Sequence, residues 1–235
     1  MSVTVTLDDI LSVPAEAAVL PLEMTGRPTE GRAAQRLAQA GGEGLRRAVH
    51  SLKFLPVGSA AALETEGLPF GHVIVTPVPR WLTGKANELL ALRRCYEAVY
   101  DKAAVLGLGR LVSPFLSSCY YHFPLEDAVH IARGTAERWP GETVFAADTE
   151  ELFAISRKPW RRPRIVSYIG WYRDYALFEL DNGQFARVDI RPELRQADRI
   201  PYFEACYREG NNPLQEKLPE AEIRRLAAIW EKCGI

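Results

Sequence analysis

Short apolar segments alternate with amphipathic ones through the first 156 residues, and this alternation constrains the fold more than any other feature of the sequence. Val3, Val5 and Leu7 alternate with polar residues as in a half-buried strand, and residues 17–22 form a short apolar run typical of a buried strand. Because a crossover between parallel strands needs a helix to return the chain, the pattern predicts a three-layer α/β/α sandwich around a mostly parallel sheet.

Helix signals separate the predicted strands. Residues 31–52 predict a helix interrupted by the glycines at 41–44, and Pro124 predicts the start of another. Between them, an apolar stripe at helical spacing predicts a third helix: Leu89, Leu92, Tyr96, Val99, Ala103 and Leu106. Further strands are predicted from Gly71, from Arg110 and in ETVFAAD, followed by a short helix in TEELFAI.

The last part of the chain has a different sequence pattern, with short extended segments rich in aromatic residues. SYIGWYRD, YALFEL and FARVDI predict antiparallel strands, the last two joined by an Asp-Asn-Gly turn. The closing segment has one apolar helical stripe: Ile223, Leu226, Ala227, Trp230 and Cys233. Residues 165–235 are therefore predicted to form a small α+β domain, an antiparallel meander with a final helix.

The basic segment RKPWRRPR, residues 157–164, separates the two parts. Residues 1–156 contain 14 basic and 18 acidic residues, a net charge of −4, whereas the remainder contains 15 and 12, a net charge of +3. Two prolines discourage regular structure, so we interpret the segment as a solvated linker. The alternative is a phosphate or nucleic-acid contact, with Trp160 available to stack on a base.

Composition argues against several classes of protein. The net charge of −1 gives no overall reason to expect a nucleic-acid or membrane surface. No run approaches the roughly 20 apolar residues of a membrane span, and the start is a strand pattern rather than a signal peptide, so we expect a cytoplasmic protein. The cysteines and histidines are scattered, so we expect no metal and no cofactor: Cys95, Cys119, Cys206, Cys233, His50, His72, His122 and His130.

Three loops are candidates for ligand binding. Ligands of open parallel sheets collect at the carboxyl ends of the strands, where helix N-termini direct free N–H groups outward. The loops after Leu22, Leu116 and Ala147 follow such ends. The second of them, SSCYYHFP, has hydroxyls, amides and rings that suit a phosphate and a flat ring. A tyrosine-rich surface loop packed on the next helix is the alternative.

Residues 111–132, LVSPFLSSCYYHFPLEDAVHIA, resemble the second ligand loop of macro domains, where a small-residue turn leads through a Gly-aromatic-Gly-aromatic-Pro stretch into a helix. LDDI at 7–10, VLPLE at 19–23 and GRAAQRLAQAG at 31–41 fall where that family has Gly-Asp-Ile, the Val-Asn-Ala-Ala-Asn strand end and a glycine loop. The resemblance covers roughly residues 1–156. It implies a macro domain fold and binding of ADP-ribose or a related adenine nucleotide, free or on a modified protein.

The resemblance also implies roles for individual residues. Asp9 would accept a hydrogen bond from the adenine amino group, Gly31 would end the first loop, and Asp148 would border the adenine side. The diphosphate loop would consist of Ser117, Ser118, Cys119, Tyr120, Tyr121, His122 and Phe123. Of these, Tyr121 and Phe123 match the aromatic positions around the distal ribose.

Four positions depart from the family pattern. Leu20 and Glu23 replace asparagines, whereas Cys119 and His122 replace glycines of the diphosphate loop. A β-carbon obstructs the approach of a phosphate to the backbone, and a left-handed conformation there costs roughly 1 kcal/mol or more. The Glu23 carboxylate repels a diphosphate unless it is turned away or bonded to a ribose hydroxyl.

Three functions are consistent with these residues. The first is a divergent macro-like module that binds an ADP-ribose-like nucleotide. The second is a protein-interaction or structural module with a degenerate pocket, acting through the aromatic C-terminal part, for instance as a homodimer. The third is an ADP-ribosyl hydrolase in which Glu23 is the general base. Cys119 and His122 could instead act as a thiol nucleophile and its base, but the sequence offers no third group to orient them.

Overall fold

The computed structural model describes residues 2–81, 88–119, 123–159, 163–172, 175–181, 185–190, 197–200 and 217–232. They form two compact units, the first within residues 2–159 and the second from residue 163 onward. The predicted end of the first domain, at residue 156, and the predicted start of the second, at residue 165, remain predictions.

The first unit is built around one six-stranded sheet. Its elements are β1 (Ser2–Thr6), a 3₁₀ helix (Ile10–Ser12), β2 (Ala17–Leu22), α1 (Arg32–Ser51), β3 (Ala61–Glu64), β4 (His72–Pro77), α2 (Glu88–Val105), β5 (Arg110–Pro114), α3 (Leu125–Ala136), β6 (Glu142–Ala146) and α4 (Glu150–Ser156). The strand order is β1-β6-β5-β2-β4-β3, and all neighbours are parallel except β3, which is antiparallel to β4. The predicted mostly parallel sheet is confirmed. The sequence does not predict β3, because Ala-Ala-Leu-Glu has neither β-branched residues nor alternation.

Buried residues cover both faces of this sheet. Along β2, Ala17 and Val19 belong to one buried cluster and Ala18 and Leu20 to another. Because successive strand residues point to opposite faces, the two clusters lie on opposite sides of the sheet. Helix α2 packs into the first cluster and α1 into the second, which makes the unit three-layered. Each large side chain buried in this way contributes roughly 1.5–3 kcal/mol.

The helices follow the predicted patterns with small differences at their ends. Leu106 is 38% exposed, whereas the other predicted stripe residues of α2 are buried. It lies past the end of α2 because Gly107, at φ +69°, turns the chain there. Helix α1 is interrupted at Gly42 (φ 54°, ψ −146°), as predicted. Pro124 is the N-cap of α3 rather than its first residue.

The second unit contains a four-stranded antiparallel sheet and one helix in its described part. The strands are β7 (Ile165–Tyr172), β8 (Tyr175–Leu180), β9 (Phe185–Asp189) and β10 (Ala197–Ile200), in the order β10-β9-β8-β7, and the helix is α5 (Glu220–Lys232). Leu226 and Trp230 of α5 are buried with Phe178 and Val188 of the sheet, and the predicted meander with its final helix is confirmed. Cys233 lies outside the described residues.

Candidate functional site

Asp9 is positioned by the short 3₁₀ helix that follows β1. Its Oδ1 accepts a hydrogen bond from the Leu11 N–H at 3.0 Å, so Asp9 caps this helix. Its Oδ2 accepts a hydrogen bond from Arg36 Nε at 2.8 Å. The Arg36 hydrogen bond first, and that of Leu11 second, hold the pKa of Asp9 below its usual range. Asp9 is therefore an ionised acceptor at neutral pH, with 42% of its side chain exposed.

A pocket of about 140 Å³ opens beside Asp9. The described residues that line it are Asp8, Asp9, Ile10, Arg32, Ala33, Arg36, Ala146 and Ala147. Its volume lies below the roughly 300 Å³ at which sites for drug-sized ligands begin, so it suits one flat ring rather than a whole dinucleotide.

Two arginines of α1 border this pocket, and the sequence analysis did not single them out. An NH2 of Arg32 donates to the carbonyl oxygens of Leu7 at 3.2 Å and Ala147 at 2.9 Å, which connects the ends of β1 and β6 to α1. Arg36 pairs with Asp9. The available signal was their spacing of four residues, which places both side chains on one face of a helix.

Asp148 contacts the first turn of α1 at the other end of the site. Its Oδ1 accepts a hydrogen bond from the Ala33 N–H at 2.6 Å, and its Oδ2 accepts one from the Cys119 thiol at 3.2 Å. Gly31, the N-cap of α1, leaves room for this carboxylate, because a β-carbon there would lie 2.7 Å from Asp148 Oδ2. Three segments that are remote in sequence therefore meet at one carboxylate.

Cys119 is a protonated thiol in this arrangement. Burial raises its pKa to about 11, and the charge of Asp148 and the hydrogen bond to it act in the same direction. The thiol at this position therefore donates to Asp148 at neutral pH rather than acting as a thiolate nucleophile.

The polar groups at the start of the loop after β5 form hydrogen bonds with other groups of the protein. Ser117 adopts φ +63° and its Oγ donates to the Pro79 carbonyl oxygen at 3.1 Å. Ser118 Oγ donates to the Phe115 carbonyl oxygen at 2.7 Å. The Leu116 N–H donates to the buried Tyr96 hydroxyl at 2.7 Å, a contact that the apolar stripe of α2 gives no reason to expect.

The remaining predicted loop residues divide into two groups. Tyr120, Tyr121 and His122 lie outside the described residues. Phe123 is 2% exposed and packs edge-on against Trp81, with ring centroids 5.1 Å apart. Its ring is thus part of the core.

Glu23 lies apart from the Asp9 pocket. It begins a turn in which the Gly26 N–H donates to the Glu23 carbonyl oxygen at 2.9 Å and the Thr25 hydroxyl donates to its carboxylate at 3.2 Å. It lines a pocket of about 60 Å³ together with residues of the α1 end and the segment after it, including Leu52 and Phe54. The proposed role of Glu23 as a general base stays a prediction.

Another cavity and the described residues of the basic segment lie outside this site. A larger cavity of about 560 Å³ lies at the α1 interruption and the start of β4, and contains none of the predicted site residues. Within the described ranges, no group of three or more His, Cys, Asp or Glu side chains could hold a metal ion. None of the helices described has the length and apolar character needed to cross a bilayer. In the basic segment, Arg157 lies 5.6 Å from the Phe153 ring centroid, whereas Trp160 is not described.

Sequence comparisons find relatives for the first unit. The macro domain family model matches residues 22–132. A macro domain-containing protein of Lactiplantibacillus plantarum is 32% identical over 47% of this chain and 64% of its own length. One of Mesorhizobium japonicum is 31% identical over 49% of this chain and 70% of its own length. The O-acetyl-ADP-ribose deacetylase 1 of Pantoea vagans is 34% identical over 32% of this chain and 44% of its own length. The match thus spans less than two thirds of the first and third of these relatives.

Solved structures share the fold of this unit. The Oceanobacillus iheyensis macrodomain with ADP aligns with a TM-score of 0.60 and 21% identity, over 65% of this chain and 86% of its own. The Trypanosoma brucei macrodomain in complex with ADP-ribose aligns with a TM-score of 0.58 and 18% identity, over 66% of this chain and 67% of its own. The likeness confirms the fold that the sequence resemblance implies.

Proposed function

Because the chain belongs to the macro domain family, we propose that its first unit binds an ADP-ribose-like adenine nucleotide, free or attached to a modified protein. The pocket beside Asp9 carries this proposal. Its Asp9 carboxylate is an ionised acceptor at the position where the family resemblance places recognition of the adenine amino group. Two solved macrodomains that share the fold are a macrodomain with ADP and one in complex with ADP-ribose.

Arg36 takes part in this binding mode. Asp9 Oδ2 is bonded to Arg36, so an adenine amino group must share or replace that hydrogen bond. The Arg36 side chain is 49% exposed, so solvent surrounds it on the side away from Asp9 and leaves space for another rotamer. Its guanidinium is then able to lie on the face of the adenine ring, where a cation is attracted by the π system.

The test is calorimetry of the full chain with adenosine, AMP and ADP-ribose, with guanosine as the control ligand. Asp9→Asn is the sharpest variant, because its amide oxygen still caps the 3₁₀ helix while its NH2 replaces the acceptor that faces Arg36. We expect this variant to weaken every adenine ligand by about tenfold or more, as expected for loss of a charge-assisted hydrogen bond.

Asp101→Asn is the matched control, since Asp101 is an exposed aspartate of α2 away from the pocket. Equal adenine affinities for the two variants would contradict the proposal. So would the absence of binding of any adenine ligand to the full chain.

A further inference from the structure

We propose that Asp148 is a specificity-determining residue that disfavours a phosphate at the first turn of α1, so that the site prefers an uncharged adenine nucleoside to an adenine diphosphate. This inference rests on the proposed function and specifies its ligand class. Three observations support it: the bonds of Asp148, the closure of the gap beside Gly31, and the position of the Asp9 pocket.

The Asp148 carboxylate already occupies the anion position of α1. The first-turn N–H groups of a helix attract anions through their unpaired hydrogens and the helix dipole. Asp148 Oδ1 accepts a hydrogen bond from the Ala33 N–H at 2.6 Å, and Oδ2 accepts one from the Cys119 thiol at 3.2 Å. A phosphate bound there would have to displace Asp148 or lie beside its negative charge.

The space beside Gly31 is also closed. A β-carbon on Gly31 would lie 3.4 Å from the Cys119 β-carbon and 2.7 Å from Asp148 Oδ2. A glycine at position 119, as in the family pattern, would leave this side open for a phosphate. In this chain, the gap is filled from both sides by protein atoms.

The Asp9 pocket reaches the residues next to Asp148. Ala33 and Ala147 line that pocket, and they are respectively the bonding partner and the preceding residue of Asp148. Arg32 also lines this pocket, and an NH2 of its guanidinium is bonded to the Leu7 and Ala147 carbonyl oxygens. Adenine and ribose therefore enter without a charge conflict, whereas an attached diphosphate meets Asp148.

The test compares adenosine with ADP-ribose by calorimetry on the full chain, as wild type and as Asp148→Asn. Asparagine keeps the acceptor for the Ala33 N–H, so α1 stays capped while the charge is removed. We expect the ratio of ADP-ribose affinity to adenosine affinity to rise by about tenfold in this variant, the size of a partly screened charge repulsion. Glu150→Gln removes an exposed charge two residues away and should leave both affinities unchanged.

The wild-type protein provides a second measurement that needs no variant. Adenosine should bind at least as tightly as ADP-ribose. A wild-type preference for ADP-ribose of about tenfold or more would overturn the inference, because the diphosphate would then add affinity. An equal rise of ADP-ribose affinity in Asp148→Asn and Glu150→Gln would also overturn it.

Failure of the proposed function has a different signature. If AMP or ADP-ribose binds as well as adenosine and Asp9→Asn weakens all of them, the proposed function stands whatever Asp148→Asn does. An unchanged ratio of adenosine to ADP-ribose affinity in Asp148→Asn then contradicts only the inference. If no adenine ligand binds to any of these proteins, the proposed function fails and the inference fails with it.

Discussion

The two ends of the candidate site each place an aspartate against α1, but the two carboxylates are bound differently. Asp9 pairs with the exposed side chain of Arg36. Asp148 bonds to the backbone N–H of Ala33 and to the Cys119 thiol, and both of these hydrogen bonds are partly buried. Under the proposed function, the aspartate with an exposed side-chain partner recognises the ligand, whereas the aspartate bonded to the helix backbone takes the place of a phosphate.

The largest expected effect comes from filling the space that Gly31 leaves for Asp148. In Gly31→Ala, the new β-carbon would meet Asp148 Oδ2 at 2.7 Å, so the carboxylate or the start of α1 must shift. Because that oxygen is the end of a side chain that can turn away, we expect the free energy of unfolding to fall by about 1–2 kcal/mol, mainly through loss of the Asp148 hydrogen bonds to Ala33 and Cys119. Urea denaturation measures this change.

Gly44→Ala is the control for that experiment. No heavy atom lies within 4 Å of a β-carbon at Gly44, which is also in α1. Its stability should be unchanged, or higher by up to about 1 kcal/mol through helix propensity. Equal stabilities for the two variants would mean that the Asp148 end is as adaptable as the Asp9 end.

A smaller effect is expected on the pKa and the alkylation rate of the Cys119 thiol. Its pKa of about 11 is raised by burial and then by Asp148, so removing the carboxylate charge in Asp148→Asn should lower the pKa. A raised thiol pKa favours the folded state at lower pH, and this contribution is lost as the pH rises toward 11. The alkylation rate of Cys119 between about pH 8 and 10, resolved by mass spectrometry, should therefore increase in the variant.

Glu150→Gln serves as the control for the thiol measurement as well. Its carboxylate is exposed, and the hydrogen-bond partners of Cys119 in the described part of the chain are Asp148 and Ser118. An unchanged alkylation rate in Asp148→Asn would show that the thiol and the carboxylate are not in contact in solution, which would remove one side of the comparison.

The smallest effect is expected at the Asp9 end. The Arg36 hydrogen bond lowers the Asp9 pKa, so the stability it contributes is present at neutral pH and is lost as the pH falls through that lowered pKa. Arg36→Gln should raise the Asp9 pKa toward the usual aspartate range in an NMR titration. Because both side chains are more than 40% exposed, the change in stability at neutral pH should stay below about 1 kcal/mol.

Arg46→Gln is the matched control, since Arg46 is another exposed arginine of α1 and is paired with Glu43. The Asp9 pKa should not move in this variant. An unchanged Asp9 pKa in Arg36→Gln would indicate that the ion pair does not form in solution, and that Asp9 is free for a ligand from the start.

Most of the fold of the first unit follows from local patterns. The buried run of β2 and the helical stripe of α2 are visible because burial repeats with the period of the strand or helix. The strand β3 has no such pattern, and its position depends on pairing with β4 at the edge of the sheet. The position of Leu106 depends on where the helix ends, which the Gly107 conformation decides.

The candidate site was less accessible to sequence reasoning. The resemblance drew attention to Asp9, Gly31, Cys119 and Asp148, but their interactions with one another and with α1 involve residues far apart in the chain. Asp9 and Arg36 are 27 positions apart, Cys119 and Asp148 are 29 apart, and Ala33 and Asp148 are 115 apart. The helix and strand periods that reveal buried faces relate only residues close together in the sequence, so they do not reveal such pairs.

The sequence by itself determined the alternation of strands and helices, the macro domain resemblance, and the residue types at the ends of the strands. Only the tertiary structure decided which of those residues are already bonded, because parallel strands bring the loops after β1, β5 and β6 to the start of α1 from remote parts of the chain. The sequence does not distinguish a carboxylate that faces a ligand from one that caps a helix, because its neighbours in space decide which role it has.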